Sequence, residues 1–170
     1  MTKYLIDANI FIEAHRNFLP IDVATSFWGK MQELASIGKI HSIDKVRNEL
    51  CIHNDDLKKW IENKLDDNFF WNTTDEVLLK IGEIVQWVQG CPEYNDTAKS
   101  KFVRSMDKAD VYLVAFASLD TDTRIVTREL SNLKGSNNQV GLVKIPDLCN
   151  HFNATYIHPA QMFRELGETF

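Results

Sequence analysis

The sequence predicts an α/β protein with a mostly parallel sheet covered by helices on both faces, a three-layer α/β/α arrangement. Three observations predict it. Short apolar runs at 3–6 and 124–127 read as buried strands. Segments with apolar residues at helical spacing lie between them. The stretch "MDKADVYLVAFASL" at 106–119 is apolar on nearly every side after Asp110, as expected of a helix enclosed by other elements. In sheets of this kind, ligands bind beyond the carboxyl ends of the strands.

Taken in order, residues 3–6 form a strand that ends at Asp7, and residues 9–16 form the helix after it. A second helix suits 22–37, where Val23, Phe27, Met31, Leu34 and Ala35 recur at helical spacing, Asp22 caps the start and Gly38 ends it. "KIHSI" is a brief strand. "DKVRNELC" follows as a helix with Asp44 as N-cap, Val46 and Leu50 on its apolar face, and Glu49 beside them. Leu57, Trp60, Ile61, Lys64 and Leu65 mark another amphipathic helix. Thr73 with Glu76 has the spacing of a capping box before the stripe Val77, Leu78, Ile81, Ile84, Val85 and Val88, which Gly90 and Pro92 close.

Residues 91–105 are polar and read as an exposed connection carrying Lys99, Lys101 and Arg104. After the apolar helix come the strand 124–127, turn material at 130–139, and a further strand, "VGLVKIP", ending at Pro146. The tail gives a short helix, a small strand at Tyr156 and Ile157, and a last helix begun by Pro159. Neither an internal repeat nor an interdomain linker is visible, so 1–170 is expected to be a single domain.

The length of 170 residues and 44% hydrophobic content suffice for a substantial core. A formal charge of −5 argues against nucleic-acid affinity drawn from overall basicity, while leaving room for a local basic rim. The odd trio Cys51, Cys91 and Cys149 contains no CxxC pair, which points to a reducing compartment, with the cytoplasm as the expected location. No apolar run approaches membrane-span length, so no membrane partner is expected. P-loop, HExxH and GxGxxG patterns are absent. Cys149, His151 and His158, like Cys51 and His53, lack a zinc spacing. Phe69, Phe70 and Trp71 suit core cover better than base stacking.

Four acids share one kind of position. Asp7 follows the first strand, Glu49 lies in a helix, Asp110 starts the apolar helix, and Glu129 follows "RIVT". Each has an ordinary explanation: Asp7 and Asn9 as a capping pair, Asp107 as a cap, Asp110 in a first turn, Glu49 as a solvated helix residue, and Glu129 as turn charge. Gathered at one sheet edge, however, such carboxylates repel and hold protons unless a cation lies among them. Mg2+ or Mn2+ suits an all-oxygen donor set and supports phosphodiester hydrolysis.

"YLIDANIFI" resembles the first strand and acid of the PIN-domain ribonucleases, the fold of VapC-type toxins; "VRNEL" resembles their second acidic helix, "DVYLVAFA" their central helix, and "IVTRE" the strand and Thr before their last acid. Order and spacing match over nearly the whole chain. The ending "KIPDLCNHFNATYIHPAQMF" resembles a subgroup of somewhat longer bacterial and archaeal PIN proteins. The resemblance implies a Mg2+- or Mn2+-dependent endoribonuclease, the toxin of a toxin–antitoxin pair. It further implies an RNA substrate, a cognate antitoxin and a homodimer. It makes Asp7, Glu49, Asp110 and Glu129 the acidic site, with Asn9 and Thr127 supporting it. Asp107, one turn before Asp110, competes with Glu129 for a second metal position. Asn132 is an alternative to Glu129. Lys99, Lys101, Arg104, Arg124 and Arg128 are candidate phosphate contacts. A nuclease acting on DNA flaps or single strands, and a PIN-like binding module without turnover, remain the alternatives.

Overall fold

Tyr4, Leu5 and Ile6 are all buried although their side chains alternate between sheet faces, so the first strand must be covered on both sides. The computed structural model, which describes residues 1–133 and 138–169, places it at the centre. Strands β1 (Lys3–Ile6), β2 (Ile40–Ile43), β3 (Phe70–Trp71), β4 (Thr123–Val126) and β5 (Thr155–Ile157) form one sheet in the order β3-β2-β1-β4-β5. Every neighbouring pair is parallel, with Tyr4 opposite Ile40, Ile6 opposite Val126, Ser42 opposite Phe70 and Val126 opposite Ile157. This is an α/β fold of PIN-like topology, as the sequence predicts.

Nine α-helices are found among the described residues: α1 (Ala8–Glu13), α2 (Thr25–Ser36), α3 (Asp44–Leu50), α4 (Asp56–Lys64), α5 (Asp75–Gly90), α6 (Asp96–Arg104), α7 (Ala109–Leu119), α8 (Ile145–Phe152) and α9 (Pro159–Leu166). Strand order steps outward from β1 to β3, then returns past β1 to β4 and β5. Because parallel crossovers are right-handed, the crossover helices before β3 and those between β3 and β5 fall on opposite faces, while α9, which follows the last strand, returns to the first face and sets Phe163 against Phe27 of α2. The reversal lies between β1 and β4. On one side Phe11, Trp28, Trp60 and Phe69 pack together, with Trp28 edge-on to Trp60 at 4.8 Å between centroids. The Trp28 indole N–H donates to the Leu19 carbonyl at 2.7 Å, so its polar atom is satisfied inside the core. Phe69 and Phe70 are core residues and Trp71 lies against His41, which accounts for that aromatic run without base stacking.

Several local expectations change. The first helix is shorter than expected and ends in a π-helical turn, Ala14–Phe18. Helix α2 starts at Thr25, and Asp22 does not cap it; Val23 is 75% exposed because the chain turns at Pro20 before the helix begins. Asp44 is the first helical residue of α3 rather than its cap, and its carboxylate instead accepts from the Thr73 amide and hydroxyl at 3.2 and 3.0 Å. With Thr73 thus engaged, Thr74 caps α5 by accepting from Val77 N–H, and Leu78 is 51% exposed rather than part of the buried stripe. The segment 91–105 is not merely a connection: Asn95 caps α6, which buries Ala98 and Phe102.

The strand expected at 140–146 does not form. Val140 makes only an isolated bridge to Tyr94, and Pro146 sits in the first turn of α8, where its missing N–H costs nothing. The two-residue β3, too short to carry a periodic signal, takes the place of the missing strand in the count. Within the expected turn run 130–139, residues 134–137 lie outside the described residues. No described helix is long and apolar enough to cross a membrane.

Candidate functional site

The ladder continues one residue beyond the strands. Asp7 N–H donates to Val126 O at 3.1 Å and Thr127 N–H to Ile157 O at 3.0 Å, which fixes Asp7 and Thr127 side by side at the carboxyl edge, where the sheet order reverses. The Asp7 side chain is 1% exposed. One carboxylate oxygen accepts from the Thr127 hydroxyl at 2.9 Å, the other from Asn9 N–H at 3.4 Å, making Asp7 the cap of α1. The capping explanation for Asp7 is therefore met geometrically, yet it leaves the carboxylate short of compensation. Burial, the first cause, and the neighbouring Asp110, the second, push its pKa from 3.8 to about 7 against the pull of those two hydrogen bonds; Glu129 adds to the rise.

Asp110 stands in the first turn of α7 and is partly buried. Its pKa is pushed up to about 6 by burial first, then by Glu129 and Glu49, while Lys144 and Lys108 pull the other way. Its carboxylate accepts no hydrogen bond among the described residues. Asp7, Glu49 and Glu129, drawn from three separate segments, thus all lie within electrostatic reach of Asp110.

Three of these acids also finish helix N-termini. Glu49 reaches across from α3 to accept the Ala109 N–H of α7 at 2.8 Å. That replaces the cap expected from Asp107, for the residue before α7 is Lys108, whose side chain caps nothing. Glu129 accepts from Ile145 N–H at the start of α8 at 2.9 Å and from the Lys144 ammonium at 2.7 Å, so both of its oxygens are engaged. The N-termini of α1, α7 and α8 therefore point at one small region, where their partial positive charge favours anions.

An open cleft of about 620 Å³ adjoins the acids, with Asn9, Glu49, Asp107 and Asp110 among its lining residues. Asp107 is exposed on its rim. Arg16, Lys45, Asn48 and Lys108, none of which stands out in the sequence, line the same cleft, as does His53, which the sequence offers only as a poor zinc ligand. Lys45 also lies over the Tyr112 ring at 4.9 Å. Its place beside Asp44 in the helix bearing Glu49 was the available signal. Of the expected phosphate contacts, Arg124 is held by two bonds to Glu165 at 2.9 and 2.8 Å, and Arg128 is paired with Glu13. Both are committed to ion pairs. On α6, Lys99 is half-buried and Arg104 exposed, and neither is among the residues that line the cleft.

Asp147 is an acid that the sequence reading passed over. It is 2% exposed and accepts from the Ser131 hydroxyl, from Asn132 N–H at 3.1 Å and from Leu133 N–H at 3.1 Å, so it holds the segment after Glu129 in place. The Asn132 side chain donates to Leu142 O rather than joining the acids.

Among the described residues, no group of three or more His, Cys, Asp and Glu side chains is already arranged as a metal cage. A hard divalent ion does not need one, since Mg2+ is commonly held by one or two carboxylates together with water and substrate phosphates. The donor chemistry fits: Asp7 and Asp110 are crowded carboxyls whose mutual repulsion a cation would relieve. Glu49 keeps one oxygen without a bonded donor, whereas Glu129 keeps neither.

The family model described as a domain of unknown function, DUF4411, matches residues 4–170. Comparison with curated proteins finds no match.

Proposed function

We propose that this chain, which belongs to the DUF4411 family, is a metal-dependent endoribonuclease of the PIN kind. The observation that carries the reading is the convergence of Asp7, at the end of β1, and Asp110, in the first turn of α7, at the topological switch point, with no basic side chain bonded to either among the described residues. A purely structural role accounts for Asp7, Glu49 and Glu129, each of which caps a helix. A first-turn position lets the α7 dipole favour Asp110, but it does not offset the crowding of that carboxyl against Asp7, Glu49 and Glu129, and its pKa stays raised.

In this reading Asp7 and Asp110 hold the ion, Glu49 assists through its spare oxygen, and Glu129 positions the N-terminus of α8. When bound, Mg2+ or Mn2+ supplies a Lewis acid that polarises the phosphoryl group and lowers the pKa of water at the site. The chain's own residues do the rest. Thr127 and Asn9 fix the Asp7 rotamer, the carboxylates supply sites for the proton released from water, and Arg16, Lys45 and Lys108 along the cleft attract the phosphate backbone. The open cleft suits a single strand better than a small metabolite, because its rim presents both charges and amides such as Asn48 to an extended chain. A toxin paired with an antitoxin is the biological setting implied by the PIN resemblance.

The test is cleavage of a pool of single-stranded and hairpin RNAs, beside matched DNA, in Mg2+, Mn2+ and EDTA, by wild type, Asp110→Asn and Asp7→Asn. Metal-dependent cutting of RNA that both variants lose supports the reading. Cutting of DNA alone moves the substrate to DNA. Equal behaviour of folded wild type and variants in every condition sinks the catalytic assignment and leaves a binding module.

A further inference from the structure

Asp110 and Lys108 also border a second cavity beside the cleft. It measures about 110 Å³ and lies between α6, the turn before α7 and the start of α8. Three lysines from three separate elements line it: Lys101 from α6, Lys108 before α7 and Lys144 before α8. Lys144 is engaged by Glu129, but the ammonium groups of Lys101 and Lys108 have no acidic partner within salt-bridge distance among the described residues. The inner wall is apolar, with Phe102, Val111, Ile145 and Leu148 buried behind the charges. Low-dielectric walls behind a set of like charges concentrate their field on whatever enters.

We infer that this pocket binds one phosphate group of the nucleic-acid strand, next to the phosphodiester that Asp7 and Asp110 address; the inference rests on the nuclease reading for its substrate. Size argues for a group of a few heavy atoms, because the volume falls well below the roughly 300 Å³ at which pockets for whole small molecules begin. The donor type argues for phosphate over carboxylate. Lysine ammoniums are point charges that can surround a tetrahedral anion from three directions, whereas a planar carboxylate is best matched by an arginine fork. Asp110 lines both cavities, so a strand lying in the cleft passes its acid before presenting a phosphate to the lysines. That phosphate is either internal to the chain or at its end.

The experiment reads binding without turnover. Labelled single-stranded RNA of about ten nucleotides, with a 5′-phosphate, a 3′-phosphate or neither, is titrated with wild type, Lys101→Gln, Lys108→Gln and the remote control Lys80→Gln in EDTA, at several salt concentrations. Affinity is read by fluorescence anisotropy. Lys101→Gln and Lys108→Gln are each expected to weaken binding about three- to ten-fold and to flatten the slope of log affinity on log salt by about 0.7, with Lys80→Gln unchanged. Equal losses on all three RNAs assign the pocket to an internal phosphate, and a loss confined to one phosphorylated end assigns it to that terminus. Affinities and slopes of both variants that match the control overturn the inference and return the pocket to other partners, an acidic peptide included. Because the readout needs no metal, a protein that binds RNA through these lysines but never cleaves it would refute the nuclease reading alone.

Discussion

Replacing Asp7 with asparagine is expected to stabilise the metal-free protein while abolishing its response to metal. The folded protein holds the Asp7 carboxyl near pH 7 instead of 3.8. As pH rises from 4 to 7, the unfolded chain gives up this proton before the folded chain does, so the unfolded state binds fewer protons and stability falls. Above pH 7 the deficit is complete, at about 4 kcal/mol for a gap of roughly three pH units at 1.4 kcal/mol each. Asp7 and Asp110 titrate as a pair, so the fall is spread over both steps. Asparagine removes the charge but cannot accept from both the Thr127 hydroxyl and Asn9 N–H as fully, which returns about 1–2 kcal/mol. The net gain at pH 7.5 in EDTA is about 2–3 kcal/mol, or a rise in Tm of about 4 to 12 °C for a chain of this size. Scanning calorimetry at pH 4 and pH 7.5 measures it, and the difference between the proteins should shrink at the lower pH. Millimolar Mn2+ should then raise the Tm of wild type and leave the variant unmoved. An Asp7→Asn protein that melts below wild type at pH 7.5 in EDTA would show that hydrogen bonding outweighs charge at this position, and that the acid is there to cap α1.

Three further outcomes follow from the same geometry. Thr127→Val removes the hydroxyl that lowers the Asp7 pKa, so it should push that group further up and cost about 1.5–3 kcal/mol at pH 7.5, with a smaller loss at pH 5; urea unfolding at both values tests this. Asp147→Ala leaves the Asn132 and Leu133 amides and the Ser131 hydroxyl without their acceptor, and should cost about 2–4 kcal/mol in the same assay, whatever the metal. Glu49→Gln keeps an oxygen for Ala109 N–H and should change metal-free stability by less than about 1 kcal/mol, yet reduce the Mn2+-induced rise in Tm, which Asp107→Asn on the rim should not do. The opposite ranking would move the metal site out to Asp107.

The parts legible in the sequence were those set by local chemistry. β1, β4 and α7 announce themselves because a fully enclosed element must be apolar along its length, and Asp7 is conspicuous because it interrupts such a run. The start of α5 differs from the sequence reading by one residue because its expected cap has a competing partner far along the chain: Asp44 draws Thr73 away, and Thr74 takes over; α2 begins three residues late because the chain first turns at Pro20. The short β3 and the unformed strand at 140–146 escaped for related reasons. Two residues of strand carry no period, and an apolar run can serve a loop and a helix start as well as a ladder.

What the sequence by itself determined is which residues are free to be functional: an acid at the end of a buried strand, another at the head of a buried helix, and two more whose positions alone were ambiguous. Only the tertiary structure decided that they meet. Sheet order β3-β2-β1-β4-β5 sets β1 beside β4, and the pairing of Ile6 with Val126 brings Asp7 level with Thr127, although 120 residues separate them. It also decided that Glu49 caps α7, that both oxygens of Glu129 are engaged, and that Lys101, Lys108 and Lys144 share one pocket with Asp110. The physical reason is that hydrophobic pattern acts over a few residues and is written in each segment. Electrostatic reach and hydrogen-bond competition act through space, and have no value until the chain has closed on itself.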